Sequence, residues 1–221
     1  MSLIEQLIRD RNFAYLQPYF YNHPYALRCE LGIGEGEVYL VNARKRAMDI
    51  FKILFPCGAD AFIFNYWLYD NSESGEALRH HMEELGDNPD DLIENTIESE
   101  MEHLRFLMEN QVKYRHIAVK DLKTYGFLDD DPGKERRNRI ICYADSETEI
   151  DHEKLINMQI NWEGSEIGLV SFENECILSV YDDRGCDVVF ATPEKMKEFY
   201  ALLKPYFLPH DMEEMEKRYN G

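Results

Sequence analysis

Three short apolar runs near the C-terminus, EIGLVSF (166–172), ECILSVY (175–181) and CDVVFA (186–191), constrain the fold more than any other part of the chain. Runs this short, rich in Val, Ile and Phe, suit strands rather than helices. The last two are separated only by DDRG, in which Gly185 can take a left-handed conformation, so they predict an antiparallel hairpin. Thr192 and Pro193 then form a helix start, a side-chain cap followed by a proline whose missing donor costs little at the first helical position. Met196, Phe199, Tyr200 and Leu203 fall on one side of that helix, Pro205 ends it, and the polar extension PHDMEEMEKRYNG promises little to the core.

The N-terminal half brings helices and strands of its own. Leu3, Ile4, Leu7 and Ile8 recur at helical separations between residue 2 and about residue 16, before a turn-rich connection around Pro18 and Pro24. YALRCEL (25–31) alternates as a strand does, and GIGEG (32–36) supplies the backbone freedom for a reversal. Asn42 reads as the cap of a helix carrying Ala43, Ala47, Ile50, Phe51 and Leu54, stopped by Pro56 and Gly58. The run AFIFNYWLY follows, so strand, helix and strand predict a βαβ unit with parallel strands. IICYA (140–144) reads as a further strand, HLRFLM (103–108) as a weaker one, and DHEKLINMQIN (151–161) as a helix. The resulting class is α+β, a mixed or largely antiparallel sheet flanked by helices that cover one side. All 221 residues fit a single domain, with a candidate subdomain boundary in the loop near 129–137.

Charge restricts the functional classes. The chain carries 43 acidic and 24 basic residues for a net charge of −19, and the segment 70–110 alone contributes −11 from 13 acidic and two basic residues. Such a surface repels phosphate backbones and anionic membranes, so no direct nucleic-acid and no membrane partner is expected, whereas a basic protein would be attracted. No stretch is apolar for the roughly 18 residues that a membrane helix needs. MSLIEQLIRD lacks the features of a secretory signal, and five scattered cysteines without CxxC spacing fit a reducing compartment, so a cytoplasmic setting is expected.

No motif declares a reaction. GIGEG is not a complete dinucleotide fingerprint, and the P-loop and nucleophile-elbow patterns are missing. His80, His81, Glu84 and His103 have metal-binding atom types, but adjacent helical residues diverge, and solvated side chains or local salt bridges account for them. Cys142 and Cys176 lie in apolar strands and read as small buried hydrophobes. Lys134, Arg136, Arg137 and Arg139 form a short basic patch best balanced by neighbouring acids. The acids of YDDRGCD can accept turn hydrogen bonds and pair with Arg184. No cofactor or metal is expected.

The segments Leu27-Arg28-Cys29-Glu30-Leu31-Gly32 and Tyr181-Asp182-Asp183-Arg184-Gly185-Cys186-Asp187-Val188, followed by the helix at 193–200, resemble a predominantly bacterial family catalogued as domain of unknown function 3885. Cys29 stands where an aromatic residue is more typical and Cys186 at a variable apolar position, which argues against a shared catalytic role for these thiols. The resemblance covers most of the chain and brings no reaction. It implies a bacterial cytoplasmic protein and makes Arg28, Glu30, Asp182, Asp183 and Arg184 the candidate structural or partner-facing residues. The leading expectation is therefore a nonenzymatic protein-interaction module, in its sharper form an acidic inhibitor or immunity-like protein acting on a basic partner. The alternative is a small hydrolase or other enzyme built on a carboxylate and arginine site from the same five residues. Homo-oligomerisation is left open by the sequence.

Overall fold

The computed structural model describes residues 1–10, 19–67, 113–118, 137–144, 150–161 and 167–220. The acidic segment 70–110, the strand expected at 103–108 and all but the end of the loop 129–137 lie outside the described residues.

Helices α1 (Leu3–Arg9) and α2 (Tyr19–Asn22) precede strand β1 (Ala26–Glu30), and helix α3 (Glu37–Leu54) leads to β2 (Ala61–Trp67). Strands β3 (Lys113–Ala118) and β4 (Arg137–Tyr143) are followed by helix α4 (His152–Ile160) and by β5 (Ile167–Ser171), β6 (Cys176–Val180) and β7 (Gly185–Phe190). Helix α5 (Pro193–Leu203), two short 3-10 turns and helix α6 (Met212–Asn220) complete the order. The sheet runs β1-β7-β6-β5-β2-β4-β3 with every neighbouring pair antiparallel. Four antiparallel steps separate β1 from β2, so the two strands do run in the same direction, as expected. They are not neighbours, however: α3 crosses three intervening strands, because β5, β6 and β7 supply longer-range partners that close the sheet between them.

Alternation divides the sheet into two faces. Leu27 and Cys29 share one with Cys186, Val188, Phe190, Leu178 and Phe62, since these positions are in register. On that face Phe190 stacks with Phe199 of α5, Phe62 stacks with His152 of α4, and Phe51 of α3 meets the same ring at a tilt. The opposite face carries Arg28, Asp187 and Tyr143. There the α2 backbone of Phe20 bonds Asp187, and Arg9 of α1 bonds Tyr143. Helices therefore cover both faces rather than one, because both faces of the inner strands are apolar: β5, β6 and β7 are buried at every position.

Local signals hold at most helix ends. Ser2, Asp151 and Thr192 each accept a backbone N–H from three residues on, at 3.1, 2.9 and 3.3 Å, each cap stabilising by about 1 kcal/mol. Helix α3 departs from expectation. It begins at Glu37 behind Gly36, whose φ of 58° favours glycine, and Asn42 sits inside the helix with its Nδ2 donating to the Ile33 carbonyl at 2.7 Å. Its stripe of Ala43, Ala47, Ile50, Phe51 and Leu54 is buried as the spacing predicts.

Candidate functional site

The five candidate residues gather where the end of β1 meets the β6–β7 hairpin tip. Leu31 N–H donates to the Arg184 carbonyl at 2.9 Å, extending the β1–β7 ladder to the tip, and Tyr181 N–H donates to the Gly185 carbonyl at 3.3 Å. Arg28 and Glu30 project from the same face of β1, opposite Asp187 and Gly185. The residues are brought together, but they divide into two arrangements.

The inner arrangement is an ion pair. Arg28 Nε and Nη2 donate to the two carboxylate oxygens of the fully buried Asp187 at 2.8 and 2.9 Å, and Phe20 N–H adds a third hydrogen bond at 3.0 Å. The guanidinium lies over the rings of Tyr21, Phe20 and Tyr181 at 4.8, 5.3 and 5.6 Å, a cation–π enclosure on three sides. Asp211 is 3.8 Å away and accepts the Tyr21 hydroxyl through Oδ1 at 3.0 Å, whereas its buried Oδ2 has no hydrogen-bond partner among the described residues. Burial alone would lower the Arg28 pKa, but the bidentate Asp187 reverses this and holds it above its ordinary value. Burial, followed by Asp187, pushes the Tyr181 hydroxyl up as well.

The outer arrangement is a self-contained turn. Asp182 is buried, and its Oδ1 accepts Arg184 N–H at 2.7 Å while Oδ2 accepts the Arg184 guanidinium, as the sequence suggested. Arg184 nevertheless exposes 70% of its side chain, and the Asp182 hydrogen bonds raise its pKa. Asp183 is half-buried. It stands close enough to Tyr39 of α3 to help raise that hydroxyl's pKa, after burial and ahead of Asp182. Gly185 is not left-handed: among the described glycines positive φ occurs at Gly34, Gly36 and Gly58. Its role is close approach, since a Cβ there would collide with the Tyr181 hydroxyl and lie 2.7 Å from the Cys29 carbonyl oxygen.

The C-terminal segment contributes more than its polarity suggests. Strand β1 lies at the edge of the sheet, and the carbonyls of Ala26, Arg28 and Glu30 accept from Arg218, the Leu208 N–H and Arg46 Nε at 3.3, 3.1 and 2.8 Å. Arg28 N–H meets Met215 Sδ at 3.4 Å. Arg218 also binds the carbonyls of Phe20 and His23 at 2.7 and 2.9 Å. The edge that would otherwise template another strand is thus closed.

Sequence reasoning did not identify Tyr21, Tyr181, Asp211, Met215 or Arg218 as parts of this cluster. Alternation marked only that residues 25–31 form a strand. The buried readings of Cys142 and Cys176 agree with the structure, and burial raises the Cys142 thiol to about 12. His80, His81, Glu84, His103, Lys134 and Arg136 lie outside the described residues, among which no cluster of three or more His, Cys, Asp or Glu could hold a metal. No helix among the described residues is long and apolar enough to cross a membrane.

No curated protein and no solved structure matches the chain. One family model does, over residues 4–211, and its description is domain of unknown function DUF3885. That span contains the whole sheet, the caged arginine and the hairpin tip, and ends at Asp211 just before α6. With nearly its full length matched, the chain belongs to the DUF3885 family.

Proposed function

We propose that the chain is a nonenzymatic protein-interaction module of the bacterial cytoplasm that binds a basic protein partner. The observation that carries this reading is how the charges are spent where β1 meets the hairpin tip. Arg28 and Arg184 are committed to carboxylates of the chain itself, Asp187 and Asp182, and Arg46 donates to the Glu30 carbonyl. Glu30, Glu35, Glu37 and Asp183 make no ion pair among the described residues, so acidic groups remain for an outside cation on a frame already held rigid. Segment 70–110 contributes a further −11 to the net charge of the chain. A field of this sign accelerates encounter with a basic partner more than it strengthens the final complex.

In its sharper form the partner is a toxin or nuclease whose basic cleft the chain covers, as an immunity-like inhibitor. The test is isolation of the full chain from bacterial cytoplasm in near-physiological salt, followed by mass determination of the complex. A stoichiometric basic protein is expected, and its nucleic-acid binding should fall on addition of the chain. Recovery of the chain alone, or with acidic proteins only, overturns the reading.

A further inference from the structure

We infer that the outward face of the first turns of α3, with the loop before it, is the surface on which the basic partner docks, and that the partner seats an apolar side chain there between flanking lysines or arginines. The inference rests on the reading above and adds its location and chemistry.

Helix α3 buries one stripe, yet Val38 and Val41, one turn apart on another face, are each 60% exposed. Ile33 and Leu40 extend the apolar surface at 42% and 37% exposure. The Asn42 bond to the Ile33 carbonyl ties the loop to the helix, and Gly34 lies so near Val38 that a Cβ there would come within 3.3 Å of its Cγ1, so the patch is formed before anything binds. A preformed patch spares a partner the entropy of ordering it. Glu35 and Glu37 border this surface without an ion pair among the described residues, whereas the exposed cations that follow on the helix are engaged within the chain, Arg44 donating to Asn161 Oδ1 at 2.9 Å and Lys45 to Asp49 at 2.7 Å.

Charge selects among occupants. A second copy would bring Glu35 and Glu37 against the same carboxylates within a chain of net charge −19, and an anionic lipid surface would meet the same repulsion. Strand addition at β1 is closed by Leu208, Met215, Arg46 and Arg218. What remains is an apolar anchor flanked by positive charge, carried by side chains rather than by an added strand.

The probe is a synthetic helical peptide with leucines at successive helical turns and lysines elsewhere, paired with a counter-peptide in which glutamates replace the lysines. Both are titrated calorimetrically against the full wild-type chain, Val38→Ser/Val41→Ser, and the control Leu202→Ser on the exposed side of α5, in near-physiological salt. Saturable binding of the lysine peptide is expected, weakened about tenfold or more in the Val38/Val41 variant and unchanged in the control. Val38→Ala/Val41→Ala, which favours the helix, serves if the serine variant misfolds. Equal binding by wild type and the valine variants overturns the location while the basic-partner reading survives. Failure of the lysine peptide to bind, or equal binding of the glutamate peptide, overturns both. Concentration-dependent dimerisation abolished by the valine variant makes a second copy the occupant and overturns the inference.

Discussion

Removing the Asp187 carboxylate should be the most damaging single polar change in the described fold. Asp187→Ala deletes three hydrogen bonds at once, from Arg28 Nε, Arg28 Nη2 and Phe20 N–H, and leaves a guanidinium enclosed by three rings with only Asp211, 3.8 Å away, to answer its charge. An uncompensated buried charge costs about 3–5 kcal/mol, a large share of the roughly 5–15 kcal/mol that stabilises an ordinary domain. The double variant Arg28→Met/Asp187→Ala removes the stranded charge with its partner. It should therefore be destabilised by at least about 1.5 kcal/mol less than the sum of the two single changes. Urea unfolding followed by circular dichroism measures all three, and the double variant remains readable if Asp187→Ala alone does not fold. Asp211→Asn is the internal comparison, because Asp211 touches Arg28 only at long range, and its cost should stay below about 1.5 kcal/mol. Additivity of the Arg28 and Asp187 changes within about 0.5 kcal/mol would refute the claim that the pair acts as one unit.

Other consequences concern single positions. Gly185→Ala should lower stability by about 1–3 kcal/mol in the same unfolding assay, because its Cβ would press on the Cys29 carbonyl and the Tyr181 hydroxyl; a loss under about 0.5 kcal/mol would show that the approach is not tight. The His152 ring, stacked on Phe62 and tilted against Phe51, accepts Ala59 N–H at Nε2, and burial lowers its pKa, so the folded state favours the neutral ring. Its contribution is complete above the unfolded histidine's value of about 6.5 and is lost as pH falls through that value toward the folded one. His152→Gln should flatten this part of the stability profile between neutral and mildly acidic pH, and an unchanged slope would assign it to other groups. Alkylation of the folded chain at mildly alkaline pH should label the exposed Cys57 rapidly and the buried Cys29, Cys142, Cys176 and Cys186 only after unfolding; rapid labelling of Cys142 would contradict its placement in the core.

The sequence disclosed elements wherever an apolar period coincided with a clear end signal. Thr192 and Pro193 marked the start of α5, DDRG marked the β6–β7 connection, and the Ala43-to-Leu54 stripe marked the buried face of α3. The start of α3 was hidden because Gly36 caps it without a side chain, while Asn42 carries a capping side chain that it spends on the Ile33 carbonyl instead. Strand β3 was missed because KYRHIA lacks the apolar run that marked the other strands.

Pairing was the harder matter. Strand β1 lies beside β7, almost the whole chain away, so nothing local could place Arg28 opposite Asp187. Asp187 consequently read as one more turn acid, although Asp182 is the one that holds the turn. The terminal helix looked idle because its mean polarity is high, yet Met215 and Arg218 reach the edge of β1 and the end of α2. Thus the five candidate positions were locally visible, whereas the division between a caged ion pair and an exposed tip depended on strand order.

The central claim, that the carboxylates around β1 and α3 with no ion pair among the described residues attract a basic partner, is tested most directly by association kinetics. The rate constant for wild type and for Glu30→Gln/Glu35→Gln/Glu37→Gln would be measured against the purified basic partner from low salt to above physiological salt. Wild type should associate fastest at low salt and slow by about tenfold or more as salt rises, while the neutralised variant starts slower and responds less. Identical rates and identical salt dependence would contradict the claim.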